Sequence, residues 1–173
     1  MTGASRLAIA LMAAVALALS GVVWVMYADL SRLRADDRAA REALATARAV
    51  AADMLSYDHR TIEQDFARAG GYTTGALSLH YKELAGSVAA QARREKAVQQ
   101  AAVTGAGVES ASGRSGRVEV LLFMNISTVK IPGEGREPRR EINRNRARFI
   151  MIQKDSRWLV AEISTLLGDP PPP

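Results

Sequence analysis

The side chains that could transfer protons lie mostly in one short stretch of this sequence. They are Tyr57, Asp58, His59, Asp65 and the later His80. General acid–base catalysis needs such a group within about 3 Å of a substrate, with a pKa moved toward the working pH by burial. Asp58 follows a break in a helical pattern, where aspartate commonly accepts hydrogen bonds from free backbone amides. We therefore predict that this cluster is structural and contains no catalytic residue.

Other kinds of chemistry have fewer candidate residues. The sequence has no cysteine, which excludes disulfides, thiolate metal sites and cysteine nucleophiles. His59 and His80 are its two histidines, and their separation does not match a usual ligand set, so no metal site is predicted. Gly105-Ala106-Gly107 lies inside a predicted strand, which indicates a bulge or a tight bend rather than a phosphate-binding loop. We expect no cofactor.

A stripe of arginines is the most distinctive charged feature. Arg144, Arg146 and Arg148 alternate along a predicted strand with Ala147 and Phe149, so the three arginines share one face. Nearby charges are those of Arg136, Arg139 and Arg140, partly neutralised by Glu134, Glu137 and Glu141. Guanidinium groups in such an array can contact phosphates or carboxylates. The stripe predicts either a solvated outer sheet face or a contact with an acidic protein or lipid surface, and nucleic acid is not expected.

The element that positions the whole domain is an uncharged apolar run from Leu7 to Ala28. As a helix of about 22 residues it extends ~33 Å, enough to cross a hydrocarbon core of ~30 Å. Ala16-Leu17-Ala18 resembles the pattern before a signal-peptidase site, so a cleaved signal peptide is the alternative. The run continues well past Ala18, and Trp24 and Tyr27 stand at its far end, where aromatic rings favour the headgroup zone. We therefore predict an uncleaved membrane anchor.

Charge gives only a weak prediction of orientation. The segment before the apolar run contains Arg6, whereas four arginines follow the run within a short distance: Arg32, Arg34, Arg38 and Arg41. By the positive-inside rule, this distribution favours a cytoplasmic domain. Interleaved acidic residues contribute little to that rule.

Periodicity predicts three helices and then four strands. Helical spacing continues from Asp29 to about Leu55, a short helix follows Thr61, and a third runs from Ala76 to Gln99. Thr61 and Gln64 have the spacing of a capping box, and Gly70-Gly71 is expected to end the second helix. Alternation with a period of two then predicts strands at Ala101–Ser110, Val118–Ile126, Glu141–Gln153 and Trp158–Ser164, with a hairpin turn at Lys154-Asp155-Ser156. The fold class is therefore α+β, with the helices packed on a curved, mostly antiparallel sheet.

The order of several short motifs resembles Mce-associated membrane proteins of actinobacteria. The matching segments are Leu55–Asp65, Thr74-Gly75, Tyr81, Ala106–Val108, Leu122–Asn125 and Arg157–Val160, and they include Tyr57, Asp58, Arg60, Thr61, Asp65, Tyr81 and Trp158. The resemblance implies a single-pass protein with an extracytoplasmic, cone-shaped domain of the nuclear-transport-factor (NTF2) or SnoaL-like type, and on orientation we follow it. The arginine-dense segment from Arg136 to Arg148, the proline tail and His59 depart from the family pattern.

These observations divide the chain into five segments. They are a short N-terminal segment at 1–6, the transmembrane helix at 7–28, a helical stalk at 29–45, the cone-shaped α+β domain at 46–167 and a proline-rich tail at 168–173. The resemblance implies an accessory subunit that stabilises an Mce-type lipid or sterol importer by protein–protein interaction. Its partners would be the membrane lipid bilayer and Mce transporter subunits.

Two alternatives remain. The first is a scaffold of another envelope machine, such as a conjugation or type IV secretion assembly factor. The second is a SnoaL-like enzyme, which requires an open pocket with a converging polar group. A cone filled by Phe66, Phe123, Phe149 and Trp158 would exclude that enzyme.

Overall fold

The computed structural model describes residues 3–131 and 137–166. The predicted proline-rich tail and most of the predicted loop Pro132–Pro138 lie outside these ranges. The elements in chain order are helix α1 (Gly3–Met54), strand β1 (Tyr57–Asp58), helices α2 (Ile62–Gly70) and α3 (Gly75–Glu95), and strands β2 (Val98–Ser112), β3 (Arg117–Lys130), β4 (Arg139–Lys154) and β5 (Arg157–Leu166).

Helix α1 is continuous over 52 residues and changes its surroundings along its length. Large apolar side chains between Leu11 and Leu33 are exposed, including Leu17 at 74% and Trp24 at 75%. This part is long and apolar enough to cross a membrane, and none of the most apolar window is buried in the protein. Further on, Ala43, Ala47 and Ala51 are fully buried. Their four-residue spacing places them on one face, where the small side chains allow the helix to lie close to the sheet.

The sheet has five antiparallel strands in the order β1-β2-β3-β4-β5, and it is not closed. The four predicted strands are present and extend beyond the predicted bounds. The additional strand, β1, consists of two residues, with Tyr57 opposite Gln99 and Asp58 opposite Val98. Two residues are too few to show an alternating pattern, so the sequence indicated only a break in the helix there.

The core lies between the sheet and α1. The inward-facing residues of β3 are Val118, Val120, Leu122 and Met124, and those of β4 are Ala147, Phe149 and Met151; all are 1% exposed or less. Phe123 has the opposite parity and is 42% exposed on the outer face, so it does not contribute to a filled cone. Alternation along a strand accounts for this, because neighbouring side chains point to opposite faces.

The turns set the relative positions of the strands. The register of β2 against β3 shifts between Val103 and Gly105, so a bulge adjoins the Gly105–Gly107 segment as predicted. Asp155 and Ser156 both have positive φ, which is the geometry of a tight two-residue hairpin turn joining β4 to β5. Helix α3 ends at Glu95 rather than at Gln99, because Lys96 adopts the left-handed conformation and directs the chain into β2.

Candidate interaction surfaces and internal cavity

The Tyr57–Asp65 motif forms a hydrogen-bonded connection between β1 and α2. Asp65 is buried, and its Oδ2 accepts hydrogen bonds from the backbone amide of Asp58 at 3.0 Å and from Thr61 Oγ1 at 2.9 Å. Its Oδ1 accepts one from Arg68 Nη2 at 2.8 Å. The predicted capping box at Thr61 and Gln64 is therefore wrong: the Thr61 hydroxyl donates to Asp65 and makes no cap bond to the helix. A buried carboxylate needs several donors, which explains this arrangement.

Asp58 closes the same turn from its other side. Its Oδ1 accepts hydrogen bonds from the backbone amide of Arg60 at 2.9 Å and from Arg60 Nε at 3.3 Å. The bond from the Arg60 amide is the largest cause that lowers the pKa of the Asp58 carboxyl. A lowered pKa keeps this group ionised as an acceptor, which fits the predicted structural role better than proton transfer.

A cavity of about 400 Å³ opens between α2, α3 and the sheet. Its walls include Leu77, Leu84, Val88 and Ile163, together with the rings of Tyr57, Phe66 and Tyr81. Of the four aromatic residues that would exclude an enzyme if they filled the cone, Phe66 lines this cavity, whereas Phe149 and Trp158 are buried in the main core. The domain therefore has an open, mainly apolar pocket.

Most polar groups at this cavity take part in bonds that hold the fold. Tyr81 donates its hydroxyl hydrogen to the carbonyl of Met54 at 3.2 Å, and burial raises its pKa to about 12. Gln99 Nε2 donates to the Leu55 carbonyl at 2.7 Å. His80 is exposed at the cavity wall, and burial raises the pKa of Tyr57. No pair of these groups combines a free base with a free acid in hydrogen-bond contact within the described residues.

The arginine stripe lies on the outer face of the sheet, next to exposed apolar side chains. Arg146 stands opposite Phe123 and Arg144 opposite Asn125. Phe123 covers Gly105 of the neighbouring strand, and Ile142 further along β4 is 62% exposed. We call Phe123, Ile142, Arg144 and Arg146 the outer patch. Its two arginines make no ion pair with any acidic residue in the described part of the chain.

Arg148 differs from the other two arginines of the stripe. Its guanidinium donates to both carboxylate oxygens of Glu109 on β2, at 2.5 and 3.2 Å. This hydrogen bond is the main cause that lowers the pKa of Glu109. Arg148 is thus already neutralised within the sheet, and the charge available to a partner comes from Arg144 and Arg146.

Trp158 connects strand β5 to helix α1. Its indole Nε1 donates to Glu42 Oε2 at 3.2 Å, across 116 positions of sequence. Tyr72 also bonds to α1, because its hydroxyl donates a hydrogen bond to Asp53 Oδ2 at 3.0 Å. Glu42 and Asp53 were missed in the sequence, because an acidic residue on an exposed-looking helical face gives no signal of a distant partner.

The β2–β3 turn contacts α1 at the end of the domain nearest the apolar half of that helix. The backbone amide of Gly113 donates to Asp36 Oδ1 at 2.6 Å. A Cβ at position 113 would lie 2.6 Å from the carbonyl carbon and oxygen of Ala35, so glycine is needed for this close approach. A cleft of about 400 Å³ borders this contact, and we call it the base cleft. It is lined by Ser31, Arg32, Ala35, Asp36, Ser112, Gly113 and Arg114.

Within the described residues, no group of three or more His, Cys, Asp or Glu side chains could hold a metal ion.

Among known proteins, no family model and no curated sequence matches this chain. Solved structures do resemble it. Helicobacter pylori CagV, described as a VirB8 homolog of the type IV secretion system, has a TM-score of 0.54 at 9% identity over 70% of this chain and 94% of CagV.

Two further structures have a lower similarity to this chain. An IcmL-like type IV secretion system protein from Legionella pneumophila has a TM-score of 0.49 at 10% identity, over 75% of this chain and 94% of its own. An Ntf2-like protein involved in plasmid conjugation has a TM-score of 0.48 at 15% identity, over 75% of this chain and 50% of its own. The likeness to CagV shows that the domain following the apolar part of α1 has the same fold, with helices packed on an open antiparallel sheet, and this agrees with the predicted α+β class.

Proposed function

We propose that this chain is a membrane-anchored, non-catalytic scaffold subunit of an envelope machine of the type IV secretion or conjugation class. It acts through protein–protein contacts made by its extracytoplasmic domain. The observation that carries this proposal is the outer patch, an exposed aromatic and arginine surface on a domain joined without a break to an apolar helix.

The continuous helix gives the proposal its mechanism. An anchor confines the domain to a layer near the membrane and raises its effective concentration for partners in that membrane, so an interface of modest affinity is sufficient. Because α1 passes from its exposed apolar part into the buried alanines without a linker, the domain is presented in a fixed direction. A scaffold benefits from such fixed presentation, because each contact then starts from an ordered position.

The composition of the outer patch suits a protein interface. Aromatic residues and arginine are enriched at the centres of interfaces and account for much of their binding energy. Phe123 supplies the apolar centre, and Arg144 and Arg146 supply charges that no described acidic residue neutralises. The patch therefore favours a partner surface that combines an apolar depression with carboxylates.

The likeness to CagV supports the type IV secretion alternative more than the Mce alternative. It gives the same fold over most of both chains, and CagV is described as part of a type IV secretion system. A role beside an Mce-type lipid importer remains a prediction from motif resemblance, and none of the comparisons adds to it. The mainly apolar cavity and its engaged polar groups argue against the SnoaL-like enzyme.

Photocrosslinking in native membranes tests the proposal. p-Benzoylphenylalanine is placed at position 123 in the full chain, and a control carries it at position 79, because Leu79 is 63% exposed on α3, outside the outer patch. We expect position 123, and not position 79, to crosslink to subunits of a secretion or conjugation apparatus. Crosslinks to Mce importer subunits would favour the other assembly. Equal crosslinking from both positions would contradict a specific patch.

A further inference from the structure

The base cleft lies at the height of lipid headgroups if α1 is placed in a membrane. Arg32 is four residues beyond Ala28, the last residue of the apolar run, which corresponds to ~6 Å along a helix axis. The headgroup layer on each side of the hydrocarbon core is about 5–8 Å thick. This placement rests on the membrane anchoring included in the proposed function.

Two arginines line this cleft from different elements. Arg32 belongs to α1 and Arg114 to the β2–β3 turn, and both are exposed. The turn is held against the helix by the Gly113–Asp36 hydrogen bond and by backbone contact at Ala35. Arg114 is therefore kept beside Arg32 by the fold, although the two are distant in sequence. Arginine pairs bind phosphate through several charge-assisted hydrogen bonds, and these two arginines line one cleft.

Two acidic groups, Asp29 and Asp36, lie near the cleft. Asp36 uses Oδ1 to accept the Gly113 amide at 2.6 Å. Asp29 lies 3.6 Å from Arg32, in a pair whose side chains are 59% and 62% exposed. Such an exposed pair is weak, so a phosphate in the cleft can replace it. Arg114 makes no ion pair with any described acidic residue.

We propose that the base cleft binds the phosphate of one anionic phospholipid headgroup from the leaflet out of which α1 emerges, with Arg32 and Arg114 on either side. The bound lipid joins the anchor to the folded domain at a single point. It thereby fixes the height and tilt of the domain above the membrane.

Lipid retention by the purified full chain tests this site. The chain is kept in an uncharged detergent and titrated with phosphatidylglycerol, with phosphatidylcholine of the same acyl chains, and with inorganic phosphate, while native mass spectrometry counts bound molecules. The test variant is R32Q/R114Q. The matched control is R144Q/R146Q, which removes the same charge from the outer patch.

We expect wild type and R144Q/R146Q to retain one phosphatidylglycerol per chain and R32Q/R114Q to bind it about 25-fold more weakly, because each basic residue near an anionic surface contributes roughly fivefold. Thermal melting of each variant shows that the fold is intact. Equal retention by R32Q/R114Q and wild type would overturn the proposal. If equimolar inorganic phosphate displaces the lipid, the cleft binds free phosphate rather than a phospholipid headgroup, and the proposal of a lipid site is wrong.

One further result separates this proposal from the proposed function. Alkaline carbonate extraction of native membranes leaves an integral membrane protein in the pellet. A chain that stays in the pellet but binds phosphatidylglycerol independently of Arg32 and Arg114 contradicts the lipid site alone. A chain released into the supernatant contradicts the membrane placement on which both proposals rest.

Discussion

The two halves of α1 are hydrophobic in different ways. The first half exposes large side chains such as Leu17, Val22 and Trp24, whereas the second half buries small ones such as Ala43 and Ala47. A bilayer is a fluid apolar solvent, so large side chains can extend into it from every side of a helix. A sheet is a fixed surface, and a helix can approach it closely only where its side chains are small. Side-chain size, as well as apolar character, therefore distinguishes the surroundings of the two halves of α1.

The largest expected effect comes from a charge in the first half. Leu17→Arg places a guanidinium near the middle of the predicted span and is expected to cost about 3 kcal/mol of membrane insertion. The measurement is the fraction of the chain in the membrane pellet after alkaline extraction. Ala49→Arg, at an exposed position of the second half, is the control and should leave that fraction unchanged. Full retention of Leu17→Arg would remove the distinction between the halves.

The next effect comes from added volume in the second half. Ala47 is fully buried against the sheet, so Ala47→Leu should lower the free energy of unfolding by about 1–3 kcal/mol through overpacking. Ala18→Leu makes the same change in the exposed half and should have no such effect. Thermal and denaturant unfolding of the domain in detergent measure both. Equal melting of the two variants would show that Ala47 has room that the structure does not indicate.

A smaller effect is expected where the turn meets the helix. Gly113→Ala puts a Cβ 2.6 Å from the Ala35 carbonyl, and the turn must move away and strain its hydrogen bond to Asp36, at a cost of about 1–2 kcal/mol. Gly107→Ala is the matched control, because nothing lies within 4 Å of its added Cβ. Hydrogen exchange of the residue-113 amide should increase in the first variant only. Unchanged protection of that amide would argue against the close contact.

The smallest effect concerns alkaline pH. Burial raises the pKa of Tyr81 from 10.0 to about 12 in the folded chain. The contribution of the raised pKa to the free energy of unfolding is fully present below pH 10, where Tyr81 is protonated in both the folded and the unfolded chain. It is lost as the pH rises through 12. Tyr81→Phe should therefore flatten the fall in melting temperature between pH 10 and 12. An identical fall in both proteins would place the alkaline sensitivity elsewhere.

Local patterns predicted the elements that depend on local physics. The apolar run in α1 and the alternation in β3 and β4 reflect burial of one face or of a whole segment, which a sequence window records. Phe123 shows the same rule, because its odd parity in β3 already placed it outside. The α+β class and the shared face of Arg144, Arg146 and Arg148 follow from such patterns.

Contacts between distant segments could not be predicted in this way. The Trp158–Glu42 bond spans 116 positions and the Gly113–Asp36 bond spans 77, so no window contains both partners. Asp65 accepts hydrogen bonds from the Thr61 hydroxyl and from the backbone amide of Asp58 in β1, and both bonds go to the same carboxylate oxygen. The base cleft depends on Gly113 and therefore could not be predicted from sequence patterns.

The accessibility of single cysteines shows directly whether α1 lies first in a bilayer and then in an extracytoplasmic domain. The chain has no cysteine, so single replacements are unambiguous. Val22→Cys lies in the exposed apolar half and Ser115→Cys in the β2–β3 turn. We expect a membrane-impermeant maleimide to label Ser115→Cys in intact spheroplasts and to leave Val22→Cys unlabelled even in opened membranes. Labelling of Val22→Cys in opened membranes, or labelling of Ser115→Cys only after lysis, would contradict this placement of α1.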